Sequence, residues 1–270
     1  MTAVTEGSRA GRASATGDRP GRRHAVLYGV VGVVGELMIT AGVLLGGFVV
    51  WQLWWTDVEG DRAQARIVED LGWQEPAPVP ADDGAAAPPA VALPAAGDPP
   101  VPTEPGHATT FATLVVPRWT GEPERPISQG VDRATVLDPL GLGHYPGTAM
   151  PGAVGNFAVA GHRTTYGKPL HRVEELAVGD PLVVRTADTW YVYRVTATRI
   201  VTPADVEVIA PDPADPAAVP TQRSITLTTC HPMFSARERY VVHGVLDYWA
   251  PASGSAPAEL AGPVGPVAEA

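Results

Sequence analysis

The only cysteine of the chain, Cys230, lies in the segment Ser224–Pro232, which reads Ser-Ile-Thr-Leu-Thr-Thr-Cys-His-Pro. Because the sequence contains no second cysteine, Cys230 cannot form an internal disulfide and its thiol is free. His162 closes a second β-type run, Asn156–Ala160, and Arg239 opens a third. One cysteine, a distant histidine and a nearby arginine are the residue types of a nucleophilic site in which a thiol attacks a carbonyl.

The order of these residues indicates how strands would position them. Cys230 ends one predicted strand, and Arg239 begins another a short connection later. In an antiparallel hairpin the end of the first strand faces the start of the second, so we expect the two residues to be neighbours. Strand alternation predicts that Thr228 shares a face with Cys230 and that Val241 shares one with Arg239. His162 must reach this place by tertiary folding, which its spacing does not define.

Charge divides the chain into a basic head and an acidic body. The 270 residues carry a formal net charge of -10, which argues against a nucleic-acid partner. Residues 1–23 are basic, because five arginines stand there against Glu6 and Asp18. We interpret residues 1–23 as a disordered cytoplasmic segment, since they lack the apolar residues that a core requires.

An almost wholly apolar run follows, Ala25–Trp55. It exceeds the roughly 20 residues that a helix needs to cross the hydrocarbon of a membrane. It is also longer than the apolar region of a cleaved signal peptide, and it ends in tryptophans. We therefore predict that residues 24–56 are an uncleaved signal-anchor, with the N-terminus cytoplasmic and the following residues extracytoplasmic. Glu36 interrupts the run, and we place it near the cytoplasmic headgroups, while a carboxylate deeper in the bilayer would mark a function.

Composition also suggests the remaining boundaries. Residues 57–107 are predicted to form a short helix and then a Pro/Ala-rich stalk, whose polyproline-like chain lifts the domain away from the membrane. Residues 250–270 have a similar composition and are interpreted as a disordered tail. The folded domain then comprises residues 108–249, which is a usual size for one domain.

The predicted domain has an all-β pattern. Short runs rich in Val, Ile, Thr and Tyr alternate with Gly and Pro, which is typical of an antiparallel barrel or sandwich. The predicted strands are Phe111–Val116, Asn156–Ala160, Pro181–Arg185, Trp190–Thr196, Ser224–Thr229 and Arg239–Leu246. We expect a hairpin between Val183 and Val192, and a helix over Leu170–Leu176. The sequence has neither a glycine-rich phosphate loop nor a long β-α-β alternation.

Two segments resemble the motifs of the sortase family. Thr226–Cys230 matches the Thr-Leu-x-Thr-Cys signature, and Arg239 stands where the family has its arginine. Asn156–Gly167 is similar to the histidine motif of the family, with His162 as the histidine. The Cys-His-Pro sequence, the long anchor and the actinobacterial type of composition most resemble class E sortases. The resemblance covers the β domain and the anchor, and it implies an all-β, sortase-like eight-stranded β-barrel preceded by a single transmembrane helix and a Pro/Ala-rich linker.

The resemblance implies a membrane-anchored cysteine transpeptidase. Cys230 would attack the Thr carbonyl of a C-terminal sorting signal of the LAXTG or LPXTG type, form a thioester and release the part that begins with Gly. His162 would protonate the leaving amine and then activate the amine of a peptidoglycan precursor. Arg239 would bind the substrate backbone and stabilise the oxyanion. The implied partners are surface proteins with sorting signals, a peptidoglycan amine and the membrane; no cofactor and no metal are expected.

Four further residues are candidates for substrate binding. Thr229 and Tyr166 are placed to line a groove, and His231 adjoins the nucleophile, although strand alternation turns it away from Cys230. The resemblance to class E sortases implies a tyrosine in the first strand, at the position that Val115 occupies here. Loss of that hydroxyl predicts a selection of sorting signals that is looser or tolerant of Pro.

Other interpretations of the same residues remain open. A secreted cysteine peptidase would hydrolyse its substrate without transferring it, and a non-catalytic cell-wall module would not need a reactive thiol. A metal site built from Cys230, His231 and His162 would lack a clear fourth ligand. Arg237 competes with Arg239 for the arginine role, and the strand register favours Arg239.

Overall fold

The computed structural model describes residues 20–73, 91–253 and 255–260, so most of the predicted cytoplasmic segment lies outside the described residues. The first element is helix α1, Pro20–Asp70. Gly72 follows it with a φ of +60°, a left-handed conformation that commonly ends helices at glycine. Within the described residues, Val26–Asp70 is long and apolar enough to cross a membrane, and its most apolar part is exposed to the surroundings.

Eight strands close into a barrel, as the resemblance to sortases implied. The strands are β1 Thr110–Val115, β2 Arg125–Gln129, β3 Leu142–His144, β4 Gly155–Ala160, β5 Pro181–Arg185, β6 Thr189–Val201, β7 Arg223–His231 and β8 Glu238–Pro251. Around the barrel they follow the order β1-β2-β3-β4-β7-β8-β6-β5, and β5 pairs with β1. The pairs β2–β3 and β4–β7 are parallel, and the other neighbours are antiparallel.

Short helical turns connect the strands. A π-helical turn, Arg133–Leu137, leads directly into the one-turn helix α2, Asp138–Leu140, between β2 and β3. Within the described ranges, 3₁₀ turns lie at Val173–Glu175, Val206–Ile209 and Ala258–Leu260.

The interior of the barrel contains the main hydrophobic core. Its members alternate along the strands, as Leu182 and Val184 do on β5. The intervening Val183 points outward, yet it is also fully buried, together with Trp190 on β6. These residues form a second cluster on the outer face of the sheet. Something must therefore cover that face.

The cover comes from segments that the sequence analysis assigned to the stalk and the tail. Ala92, in the predicted stalk, is only 4% exposed and packs in the outer cluster, and its amide donates to the carbonyl of Ala256. Pro100 accepts a hydrogen bond from the Tyr191 hydroxyl at 2.7 Å. The predicted tail returns over the same face, where the Trp190 indole donates to the Ser255 carbonyl. Residues 91–107 and 250–260 therefore belong to the folded domain, while residues 74–90 lie outside the described residues.

Several element predictions are confirmed and others require correction. The hairpin is present, with Val183 opposite Val192. The predicted helix over Leu170–Leu176 is only the 3₁₀ turn at Val173–Glu175, because its buried residues recur every third position, as they do along a 3₁₀ turn. Strands β2 and β3 were missed, since β2 is mostly polar and contains Pro126, and β3 is three residues long. The helical turns from Arg133 to Leu140 were missed as well.

Candidate active site

The β7–β8 hairpin brings Cys230 and Arg239 together. The two residues are direct partners in the antiparallel register, as the order of the predicted strands indicated. Thr228 pairs with Val241 two positions further into the sheet. The Arg239 guanidinium donates to the carbonyls of Ala236 and Glu238 at 3.0 and 2.9 Å, which keeps it at the mouth of the hairpin. A free thiol and a permanent positive charge therefore lie side by side at one strand end.

Parallel pairing between β4 and β7 places His162 beside them. Ala160 at the end of β4 is in register with Thr228 on β7, so both strands end at the same edge of the barrel. The Gly161 amide donates to the Thr228 carbonyl at 3.1 Å, and the Thr229 hydroxyl donates to the Gly161 carbonyl at 2.8 Å. These bonds fix the backbone from which the His162 side chain projects.

Cys230, His162 and Arg239 line one open cavity of about 470 Å³. Its wall includes Thr229, so the structure places one of the four substrate-binding candidates there. The remaining lining residues are Val131, Arg133, Leu137, Tyr145, Ala160, Gly161, Thr164, Thr165, Thr228, Phe234, Ser235 and Ala236. An extended peptide of a few residues fits a site of this size and mixed polarity.

Helix α2 supplies a carboxylate that the sequence analysis missed. The Nε2 atom of His162 lies 2.6 Å from Oδ1 of Asp138, and both side chains are largely buried. A carboxylate can only accept, so Nε2 carries the proton of this hydrogen bond. Asp138 is distant from His162 in sequence, and no spacing linked the two; the paired arrangement depends on α2 folding against the end of β4.

A second missed residue, Arg163, contacts the backbone of Cys230. Its side chain is 2% exposed, and Nη1 donates to the Cys230 carbonyl at 3.4 Å and lies 2.9 Å from Nδ1 of His231. Nη2 pairs with Glu174 at 2.7 Å, and this hydrogen bond from Arg163 is the main cause that lowers the pKa of Glu174. The position of Arg163 directly after His162 is the sequence feature that could have identified it.

The other substrate-binding candidates lie outside the wall of the cavity. His231 turns into the contact with Arg163, as strand alternation predicted, so it cannot join Cys230 and His162 around a metal. Tyr166 stacks against His162, with ring centroids 5.3 Å apart. Val115 pairs with Val183 and packs against the outer cluster, away from the cavity. The assignment of Val115 to substrate binding is therefore withdrawn, and with it the argument for Pro tolerance.

Tyr145 is the tyrosine that does reach the cavity. Its hydroxyl lies 3.0 Å from the Thr228 hydroxyl, on the strand that carries Cys230. It follows β3, a strand too short for the sequence pattern to reveal. Among the described residues, no group of three or more His, Cys, Asp and Glu side chains could bind a metal ion.

Comparison with known proteins agrees with this geometry. A sortase domain model matches residues 114–247. Sortase SrtE1 of Streptomyces coelicolor is 37% identical over 221 residues, which is 78% of this chain and 55% of that protein. Sortase SrtE2 of the same organism is 35% identical over 240 residues, 84% of this chain and 85% of that protein.

Solved structures are similar in the same region. The SrtA sortase from Actinomyces oris is 44% identical, with a TM-score of 0.59 over 62% of this chain and 96% of that chain. Sortase E1 from Streptomyces coelicolor, solved with a tripeptide in its active site, is 36% identical, with a TM-score of 0.53 over 57% of this chain and 97% of that chain. With its closed barrel, its cysteine at the end of β7 and these relatives, the chain belongs to the sortase family of cysteine transpeptidases.

Proposed function

We propose that this chain is a membrane-anchored transpeptidase in which Cys230 is the nucleophile, His162 the acid and base, and Arg239 the oxyanion-stabilising residue. The observation that carries the proposal is the meeting of all three at one cavity, with Cys230 and Arg239 paired across the β7–β8 hairpin. The substrate is a protein with a C-terminal LAXTG or LPXTG signal. The product is that protein joined through its Thr to a peptidoglycan amine.

In the first half-reaction the Cys230 thiol gives its proton to His162, and the sulfur adds to the Thr carbonyl carbon and forms a tetrahedral intermediate. The Arg239 guanidinium stabilises the developing oxyanion with fixed donors and a permanent charge. The Thr–Gly C–N bond then breaks, His162 gives a proton to the leaving Gly amine, and a thioester remains on Cys230. Because Nε2 of His162 donates to Asp138, Nδ1 is the nitrogen that exchanges this proton.

In the second half-reaction an amine attacks the thioester. His162 accepts the proton of the incoming amine, an amide bond forms, and the Cys230 sulfur leaves. The presence of a tripeptide in the active site of the Streptomyces coelicolor sortase E1 structure supports a peptide substrate for the matching cavity. Transfer rather than hydrolysis requires that the amine reach the thioester faster than water does.

The localisation proposed with this function is a single-pass membrane protein with its catalytic domain outside the cytoplasm. It is supported by the apolar character of α1 and by the basic residues that precede it. Residues 91–107 pack on the barrel and do not contribute to a stalk.

The test uses the full chain in detergent micelles, incubated with LAXTG or LPXTG peptides and followed by intact mass. We expect an acyl adduct, cut between Thr and Gly, that is absent from Cys230→Ala and strongly reduced in Arg239→Ala. Addition of a glycine-based amine should convert the adduct into ligated peptide. Hydrolysed product alone would indicate a peptidase, and an unmodified but alkylatable Cys230 with both peptides would contradict the proposal.

A further inference from the structure

The final turns of α1 are packed against the catalytic domain. Gly60 and Gln64 are buried, whereas Arg62 and Arg66 on the same turns are exposed. The buried positions are four residues apart, so they lie on one face of the helix, and that face is covered over this turn. A short helix was predicted here, without a contact to the domain.

Polar contacts define this packing. Gln64 is 1% exposed; its Nε2 donates to the Tyr166 carbonyl at 2.9 Å, and its Oε1 accepts from Arg125 at 3.0 Å. Asp61 accepts from the same arginine nitrogen at 2.6 Å. Lys168 donates to a carboxylate of α1 at 3.1 Å. A buried amide that is satisfied on both its donor and its acceptor side defines the register of the helix on the domain.

The backbones of the helix and the domain also touch. A Cβ atom added at Gly60 would lie 2.4 Å from the Tyr166 carbonyl carbon and 2.5 Å from the Gly167 nitrogen. Gly167 has a φ of +73°, and a Cβ there would lie 2.8 Å from the Gln64 amide nitrogen. Two glycines therefore permit an approach that no larger residue allows without displacement.

The segment that α1 contacts is the loop that carries His162. Tyr166 is the residue whose ring stacks on His162, and the Leu170 amide closes the loop by donating to the His162 carbonyl at 3.1 Å. Asp138, the carboxylate partner of His162, lines a second cavity together with Gly60 and Tyr166. The helix thus contacts Tyr166 and Gly167, which are residues of the loop that do not line the Cys230 cavity.

We propose that residues 56–64 of α1 are a positioning element of the active site. The helix fixes the Tyr166–Gly167 turn, the turn fixes the ring of His162 by stacking, and His162 is thereby aligned with Asp138 and with the cavity. The inference rests on the proposed role of His162. A segment that follows the membrane anchor in sequence is then part of the catalytic apparatus, and a domain that begins at residue 108 lacks it.

Two substitutions test the helix contact in the full chain. Gln64→Glu keeps an acceptor for Arg125 but replaces the amide nitrogen that donates to the Tyr166 carbonyl. The carboxylate oxygen that takes its place repels the carbonyl oxygen of Tyr166. Gly60→Val inserts side-chain atoms between the helix and the Tyr166–Gly167 turn. Arg66→Ala, on the exposed face of the same helix, is the matched control.

We expect both variants to form the Cys230 acyl adduct about tenfold more slowly in single-turnover experiments, with the same dependence on peptide concentration as the unsubstituted protein. The Arg66→Ala variant should react at the unsubstituted rate. An effect on the rate alone indicates positioning of the acid and base, whereas general unfolding would also change peptide binding and the unfolding temperature.

Amide hydrogen exchange supplies a readout that does not depend on activity. In Gln64→Glu and Gly60→Val the amides of Lys168 and Leu170, which are hydrogen-bonded within the loop, should exchange about tenfold faster than in the Arg66→Ala control. If the unsubstituted protein forms no adduct, the proposed function fails, and the exchange data still decide this inference. Unchanged exchange at these amides, or unchanged acylation in both variants, would overturn it.

Discussion

Replacement of Asp138 by alanine tests how the proposed acid and base, His162, is oriented. The Asp138 carboxylate accepts the 2.6 Å hydrogen bond from Nε2 of His162 and fixes which ring nitrogen is available for proton transfer. A hydrogen bond to a charged group contributes about 1.5–3 kcal/mol, which corresponds to a roughly 10- to 150-fold change in rate. We expect Asp138→Ala to lower kcat by a factor in this range while the KM for the peptide stays nearly constant.

The assay is single-turnover acylation of Cys230 at several peptide concentrations, with the unfolding temperature measured in parallel. Asp132→Ala is the matched control, because its carboxylate lies on the same connection but is 69% exposed. Asp138→Glu should recover part of the lost rate, since it restores a carboxylate acceptor on a side chain that is one methylene longer. If Asp138→Ala acylates at the rate of the Asp132→Ala control, the orienting role assigned to Asp138 is refuted.

Three further outcomes follow from the structure. Burial lowers the pKa of His243 to about 4, so below pH 6.5 the unfolded chain takes up a proton that the folded chain excludes. The free energy of unfolding should therefore fall by about 3 kcal/mol between pH 6.5 and 4. In His243→Gln this dependence of the unfolding free energy on pH should be weaker. Phe234 lines the cavity and is 82% exposed, so it can cover the apolar part of a bound signal. Phe234→Ala should then raise the KM for the peptide roughly tenfold with kcat nearly unchanged. The same KM in the variant and the unsubstituted protein would show that Phe234 does not contact the peptide. Ala92→Arg would bury a charge in the outer cluster and should cost roughly 2–4 kcal/mol in a denaturant titration, whereas Leu93→Arg, at a position 78% exposed, should cost almost nothing.

The hairpin that carries Cys230 could be predicted from the sequence because the pattern that defines it is local. Alternation and a short connection place Cys230 opposite Arg239, and the register confirms this pairing. The β5–β6 hairpin follows the same rule, with Val183 opposite Val192. Strands β2 and β3 were not predicted. Strand β2 is mostly polar and contains a proline, and β3 has only three residues, so neither shows the alternation of apolar and polar residues by which a strand is recognised.

The boundaries of the folded domain were misjudged for a related reason. Residues 91–107 have the Pro and Ala content of an extended linker, and their packing depends on a partner surface rather than on their own periodicity. The sequence did contain an indication of that surface. The runs that became β5 and β6 are apolar at consecutive positions, which indicates strands buried on both faces.

The sequence by itself determined the anchor-like helix, an all-β domain of the barrel or sandwich type, and the local pairing of Cys230 with Arg239. Those properties arise from composition and from periods of a few residues. Only the tertiary structure decided that β4 runs parallel to β7, which places His162 beside Cys230, and that Asp138 and Arg163 contact these residues. It also decided that Tyr145 rather than Val115 lines the cavity, and that α1 contacts the loop of His162. Each of these contacts joins segments that are distant along the chain, and such contacts leave no period in the sequence because they depend on how the completed barrel closes.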